Sequence, residues 1–344
     1  MRIIQVLCCT ALLCCAGAAT AASVERQKQP GTLQVCLLLA GHLGDRSYND
    51  ALYEGIVRAA RDFGVHYALV VADKGVEPGT VLDRAASSGV DLVIVGDPAF
   101  RPALAKRAAD YPTKRFAAID MDVNAPNVLS VVFASGEGAF LAGAAAAMFA
   151  GYERIPGMGK NPALGWIGGE RSALMEEFRR GFVQGVAHVN PRLKVAADYV
   201  GSFDDPDKAR SLAAGMYARG ARVIMHVAGR SGLGVFEAAD AAKAYAIGVD
   251  TNQDAVKPGR VLTSLLKRVD VAVWYAVKSL AIGSFEGGGV LKMNVGNEGL
   301  NLTNMSVMRR ALGDAFPEEL LRRMEEIAQA LKSGQIRLAP VPAK

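Results

Sequence analysis

Short apolar runs alternate with amphipathic, alanine-rich stretches over almost the whole of this chain. A run of roughly four to eight apolar residues followed by a helix-length amphipathic stretch is the pattern of a βα unit. Its repetition calls for parallel sheets joined by right-handed crossovers. Strands are expected at 33–40, 67–72, 92–96, 116–120 and 128–133, and a second series at 164–168, 195–200, 223–227, 244–249 and 261–265. Helices are expected between them at 49–63, 78–87, 99–111, 137–151, 172–189, 206–219 and 232–242. The series breaks near Ser135, and GYERIPGMGKNPA at 151–163 is the long polar connection in the middle, so two α/β lobes are predicted. A charged amphipathic helix is expected at 317–332, followed by a short edge strand in SGQIRLAP at 333–340.

Acidic residues sit where such an architecture binds ligands. FAAID stops at Asp120 and YAIGVD at Asp250, and the first run, VCLLLA, opens into GHLGDRSYND. A buried parallel strand ends at a crevice at the edge of the sheet, where open α/β sheets take their ligands. A carboxylate placed there can accept from two neighbouring hydroxyls at once, which suits a hydroxyl-rich small molecule. In GDRSYND, helix-start amides with Ser47 and Asn49 offer polar contacts and Tyr48 a flat face for stacking. Taken alone, helix capping by Ser47 or Asn49 is the simpler account. AGRSGLGV, with Gly229 and Gly232, lets backbone approach a ligand or turn into a helix. Lys267 follows the last strong strand, where it can pair with one of the aspartates and donate to a ligand.

Several chemistries find no residues to carry them. There is no G-x-x-x-x-G-K-[ST], no G-x-S-x-G and no H-E-x-x-H, and the four histidines are scattered. No cofactor is called for. The net charge of +5 is dispersed, and the pairs Arg309–Arg310 and Arg322–Arg323 share their helices with Glu318, Glu319, Glu325 and Glu326, a solvated face rather than a nucleic-acid track. The first residues read as a secretory signal: Arg2, an apolar core at 3–15 too short to span a bilayer, then Ala19-Thr20-Ala21, with cleavage near Ala21 or Ala22. Lipidation at Cys14 or Cys15 is disfavoured because Leu13 or Cys14 precedes it in place of a small residue. Four of the five cysteines lie in that leader, leaving Cys36 as a buried hydrophobe with no disulfide partner.

With these residues in view, the chain resembles the basic membrane protein family, which includes the purine nucleoside receptor A type of substrate-binding protein. The resemblance runs from about Leu33 to Pro340. It rests on GDRSYNDALYEG, FAAID, SVVFASGEGAFLAGAAAA, LGWIGG, FRRGFVQGVAHVNP, YVGSFDDPDKA, VAGRSGLGV, IGVDTNQD and VLTSLLKRVD, in that order. It implies a type I periplasmic binding protein fold of two lobes with three crossovers and a ligand cleft. The lobes expected are 32–134 with 252–284, and 135–251 with 285–340, after a signal peptide at 1–22. Carried across, Asp45, Tyr48 and Asn49 belong to the first ligand loop, with Tyr48 where phenylalanine is usual. Asp120, Gly229, Asp250 and Lys267 fall on the other cleft motifs, and His226 stands near the position of a second stacking ring. Ser135 and Glu137 match at a helix start, where capping also explains them.

The resulting expectation is an exported, periplasmic and monomeric solute-binding protein. It would capture a nucleoside-like ligand, with a purine favoured, and deliver it to an ABC transporter permease. The alternatives are a sensor of the same fold, a binder of another flat heterocycle or of a sugar, and a nucleoside-cleaving enzyme using the acidic cleft.

Overall fold

The computed structural model describes residues 32–72 and 75–339. The signal-peptide reading falls outside them. In the first half, β1 (Gln34–Leu39), α1 (Tyr48–Phe63), β2 (His66–Val71), α2 (Pro78–Ser87), β3 (Leu92–Val95), α3 (Arg101–Arg107), β4 (Arg115–Ile119) and β5 (Val128–Phe133) follow the expected alternation. Helix 99–111 is the exception: Pro102 lies inside it, and the segment breaks into α3 with a 3-10 turn at either end. The second half runs α4 (Ser135–Ala150), β6 (Ala163–Gly168), α5 (Ala173–Val189), β7 (Val195–Tyr199), α6 (Pro206–Ala218), β8 (Ala221–Val227), α7 (Gly232–Ala241), β9 (Tyr245–Asp250) and β10 (Val261–Lys267). After it come α8 (Val269–Ala281), β11 (Val290–Met293), β12 (Leu300–Leu302), α9 (Ser306–Leu312) and α10 (Glu319–Lys332).

Two six-stranded sheets result, in the orders β11-β5-β4-β3-β1-β2 and β12-β10-β9-β8-β6-β7. All pairings are parallel except β10 with β12. Parallel strands covered by helices on both faces must be apolar throughout, and β3 and β9 are buried at every position. In both sheets the strand order reverses beside the first strand of its half, between β1 and β3 and between β6 and β8. Crevices open at such switch points.

The expected lobe boundaries need correction in the last third. β10 pairs with β9 in the second sheet, although 252–284 is expected in the first lobe. β11 pairs with β5 in the first sheet, although 285–340 is expected in the second. The chain crosses between β5 and α4, between β10 and α8, and between β11 and β12, with α8 packed on α1 in the first lobe. A short apolar run carries no label for which of two similar sheets it joins; the register of its neighbours decides. The edge strand expected at 333–340 is not formed as far as Ala339, whose amide donates to Gln184 Oε1.

The first crossing delivers the most deeply buried helix. Every residue of α4 except Glu137 is buried, in keeping with a helix apolar on all sides. Glu177 of α5 accepts from Gly136 N at 2.9 Å, and Glu137 accepts from Val295 N at 3.2 Å, tying the first crossing to the third. No helix among the described residues is long and apolar enough to cross a membrane. Cys36 is buried in β1, and that burial pushes its thiol up to about 12, well away from reactive thiolate.

Candidate functional site

The two strand-end aspartates share one backbone device. Asp120 and Asp250 both adopt the left-handed conformation, with φ of 61° and 67°, which turns the chain sharply as it leaves the sheet. Non-glycine residues adopt this region rarely, and aspartate is among those that tolerate it. Asp120, from the first lobe, forms a buried ion pair with Lys267 of the second; their side chains are 4% and 2% exposed. The Lys267 ammonium lies 5.1 Å from the rings of Phe133 and Phe178 and 5.7 Å from that of Tyr48. Burial raises the Asp120 carboxyl above its ordinary range, and Lys267 opposes that shift. Asp250 accepts from Ser47 Oγ at 2.5 Å, again across the lobes. Burial pushes Asp250 up to about 6, against the pull of Lys267 and of the Ser47 bond.

Asp45 caps α1 and accepts from the amides of Ser47 at 2.8 Å, Asn49 at 2.9 Å and Asp50 at 3.2 Å. It thus satisfies helix-start donors that have no partner within the helix. The Asn49 side chain donates through Nδ2 to His42 O at 3.3 Å. Tyr48 is half-buried, and its hydroxyl is buried with no hydrogen-bond partner among the described residues. The structure therefore brings Ser47, Tyr48, Asp120, Asp250 and Lys267 together, and gives Asp45 a capping role.

His226 does not offer a stacking face. It is fully buried, edge-on to Phe236 at 4.9 Å, with Nε2 3.1 Å from Gln253 Oε1. A Cβ on Gly232 would stand 2.1 Å from the His226 ring, so Gly232 permits the close packing of that histidine. Burial takes the imidazole down to about 4, so it is neutral near pH 7. Gly229, with φ of 53°, leads into Ser231, whose amide donates to Phe203 O at 3.1 Å. The Ser231 hydroxyl donates to Ser202 O at 2.9 Å and accepts from Asp205 N at 2.8 Å. The glycine loop thus holds a second loop, and what that loop presents is Phe203, 42% exposed.

Phe203 was not singled out from the sequence. A Cβ on Gly169 would stand 2.3 Å from its ring, so the ring lies on the backbone just past β6, at the switch point of the second sheet. Asp97 is also new. Burial raises its carboxyl, the Ala99 amide draws it down, and repulsion from Glu170 at the end of the second sheet's β6 pushes it up. The signal for Asp97 was present, because LVIVGD ends as FAAID and YAIGVD do. Phe203 had none beyond its place in YVGSFDDPDKA.

Each lobe thus carries an aromatic ring near its strand ends, Tyr48 and Phe203, with carboxylates Asp97, Asp120 and Asp250 at strand ends and Lys267 paired with Asp120. Such a set can stack a flat ring and accept from hydroxyl or amino donors.

The model for the PnrA-like ABC transporter substrate-binding proteins, the Bmp family, matches residues 32–331. The chain belongs to that family. It is 30% identical over 285 residues to the ABC transporter nucleoside-binding protein BmpA of Lactococcus lactis, covering 76% of this chain and 79% of that one. It is 30% identical over 287 residues to basic membrane protein B of Borreliella burgdorferi, covering 79% and 81%. A solute-binding protein of an ABC transporter system from Aeropyrum pernix superposes with a TM-score of 0.83 at 28% identity, covering 89% of this chain and 92% of the other. An Actinobacillus succinogenes periplasmic solute-binding protein at 15% identity, TM-score 0.63, shares the fold. This member of the Bmp family therefore has the type I periplasmic binding protein fold, in which two lobes enclose a ligand.

Proposed function

We propose that this protein captures an uncharged nucleoside in the cleft between its lobes and delivers it to an ABC importer, as an exported, monomeric binding component that performs no reaction. The observation that carries this reading is the pairing of one aromatic ring per lobe with strand-end carboxylates from both lobes. A base stacks between Tyr48 and Phe203, while Asp250 accepts from the sugar hydroxyls. Asp97 and the Asp120–Lys267 pair meet the polar edge of the base. Carboxylates outnumber the lysine, so a phosphate group would be repelled. The kinship to a nucleoside-binding protein of Lactococcus lactis supports the same ligand class. Ligand contacts to both lobes favour the closed arrangement, and motion about the three crossings opens it.

Calorimetry on the chain from Ser23 onward tests this reading, with inosine, adenosine, guanosine, cytidine, the matching monophosphates, riboflavin and simple sugars. Binding of nucleosides with rejection of free bases and monophosphates is expected. Binding of sugars or riboflavin alone would replace the ligand class, and sustained release of free base would make the protein an enzyme.

A further inference from the structure

The lobes also meet through contacts that leave no room in them for a ligand atom. Arg46, in the loop before α1, presents its carbonyl oxygen to the second lobe, where it accepts from Thr251 Oγ1 at 2.6 Å and Gln253 Nε2 at 2.9 Å. Both sides are built in advance. Asp50 holds the Arg46 loop by accepting from Gly44 N at 2.7 Å and Arg46 N at 2.8 Å, and Arg46 itself is held at φ of 52°. Across the cleft, Gln253 Oε1 accepts from Val249 N at 2.9 Å, and Ser264 Oγ accepts from Gln253 N at 3.0 Å. With that oxygen already accepting from an amide, the 3.1 Å contact from His226 Nε2 is a second donation to it. The Gln253 amino group is thereby turned outward, towards Arg46. The buried histidine thus acts on the interface through Gln253.

We propose that Thr251 and Gln253, clasping the Arg46 carbonyl, are positioning residues that favour lobe closure whatever the ligand, and so set its residence time. The clasp forms only when the lobes are together, so its bonds weigh on the open–closed equilibrium. Net hydrogen-bond strengths in proteins make each bond worth about a three- to tenfold change in that equilibrium. Apparent affinity follows the competent fraction.

Thr251→Val removes one donor while keeping the branched shape. Gln253→Glu keeps an oxygen for Val249 and His226; once ionised it turns an acceptor towards the Arg46 carbonyl and breaks the clasp. Because Gln253 is 1% exposed, the buried carboxylate also lowers stability, so it is read at pH 8, where ionisation is favoured. Spin labels on Lys106→Cys and Arg219→Cys, both exposed and on opposite lobes, read lobe separation without any ligand; Cys36 is buried. A single short separation is expected for the parent chain, with a longer population added by either substitution. The inosine dissociation rate should rise about three- to tenfold for Thr251→Val, with melting temperature nearly unchanged, and at least as much for Gln253→Glu. A parent distribution that is already open, or one unaltered by both substitutions, overturns the clasp. Lack of inosine binding by the parent chain would instead count against the nucleoside reading and leave the distance measurement to decide the clasp.

Discussion

Lys267→Met tests the centre of the cleft. The Lys267 and Asp120 side chains are 2% and 4% exposed, so the substitution removes the partner of a carboxylate that water does not reach. Breaking a buried pair from one side costs about 3–5 kcal/mol, because the remaining charge keeps its desolvation penalty and loses its compensation. Asp120 has a way to reduce that cost. Burial already raises its carboxyl, and without Lys267 it rises further, so the folded protein takes up a proton that the unfolded chain does not hold. The folded-state pKa is then above the unfolded one. The destabilisation is least below the unfolded carboxylate range, grows as pH rises through the folded pKa, and is greatest at alkaline pH. Lys267→Met with Asp120→Asn leaves a neutral pair of similar volume and should recover most of the loss at pH 8. The cycle should give a coupling of about 2 kcal/mol or more. Urea unfolding at pH 5 and pH 8, followed by circular dichroism and tryptophan fluorescence, measures all four corners. A cost for Lys267→Met below about 1 kcal/mol at pH 8, or a double variant no more stable than the single one, would refute the buried-pair reasoning.

Three further substitutions probe separate parts of the site. With Asp250 at about 6 when folded and near 3.8 when unfolded, the parent chain loses stability as pH rises from about 4 to 6. The stability of Asp250→Asn relative to the parent should therefore climb by about 3 kcal/mol across that window. The difference between variants must be used, because His226, taken down to about 4, has the opposite effect over the same range; a flat difference would refute the buried, ionising Asp250. Tyr48→Phe removes a buried hydroxyl that has no partner among the described residues, so urea melts of the unliganded protein should show stability unchanged or raised by about 1 kcal/mol. A loss above that size would mean the hydroxyl is bonded. Phe203→Ala, at a 42% exposed position, should leave melting nearly unchanged and weaken inosine binding by about 1–3 kcal/mol in calorimetry, the range for a base stacked on an aromatic ring; unaltered affinity would remove Phe203 from the site.

The sequence by itself determined the local elements and one rule for the site. Apolar runs and amphipathic stretches carry their periodicity within a few residues, so β1 to β10 and the helices between them stood legible. So did Asp120 and Asp250, since a strand end is a local event; Asp97 obeys the same rule and went unread. The ends of the chain in the fold were less legible: α8 and the short strands β11 and β12 have little periodic signal, and the choice of sheet for β10 and β11 rests on partners far away in sequence. Tertiary structure alone decided which polar groups meet. Ser47 lies 203 residues from Asp250, and Arg46 lies 207 from Gln253. It also decided that His226 is a buried support and Phe203 the exposed ring. A side chain's type is written in the sequence, but its exposure depends on what packs over it, and here that covering is complete for His226, from Gly232, Phe236 and Gln253, and leaves Phe203 42% exposed.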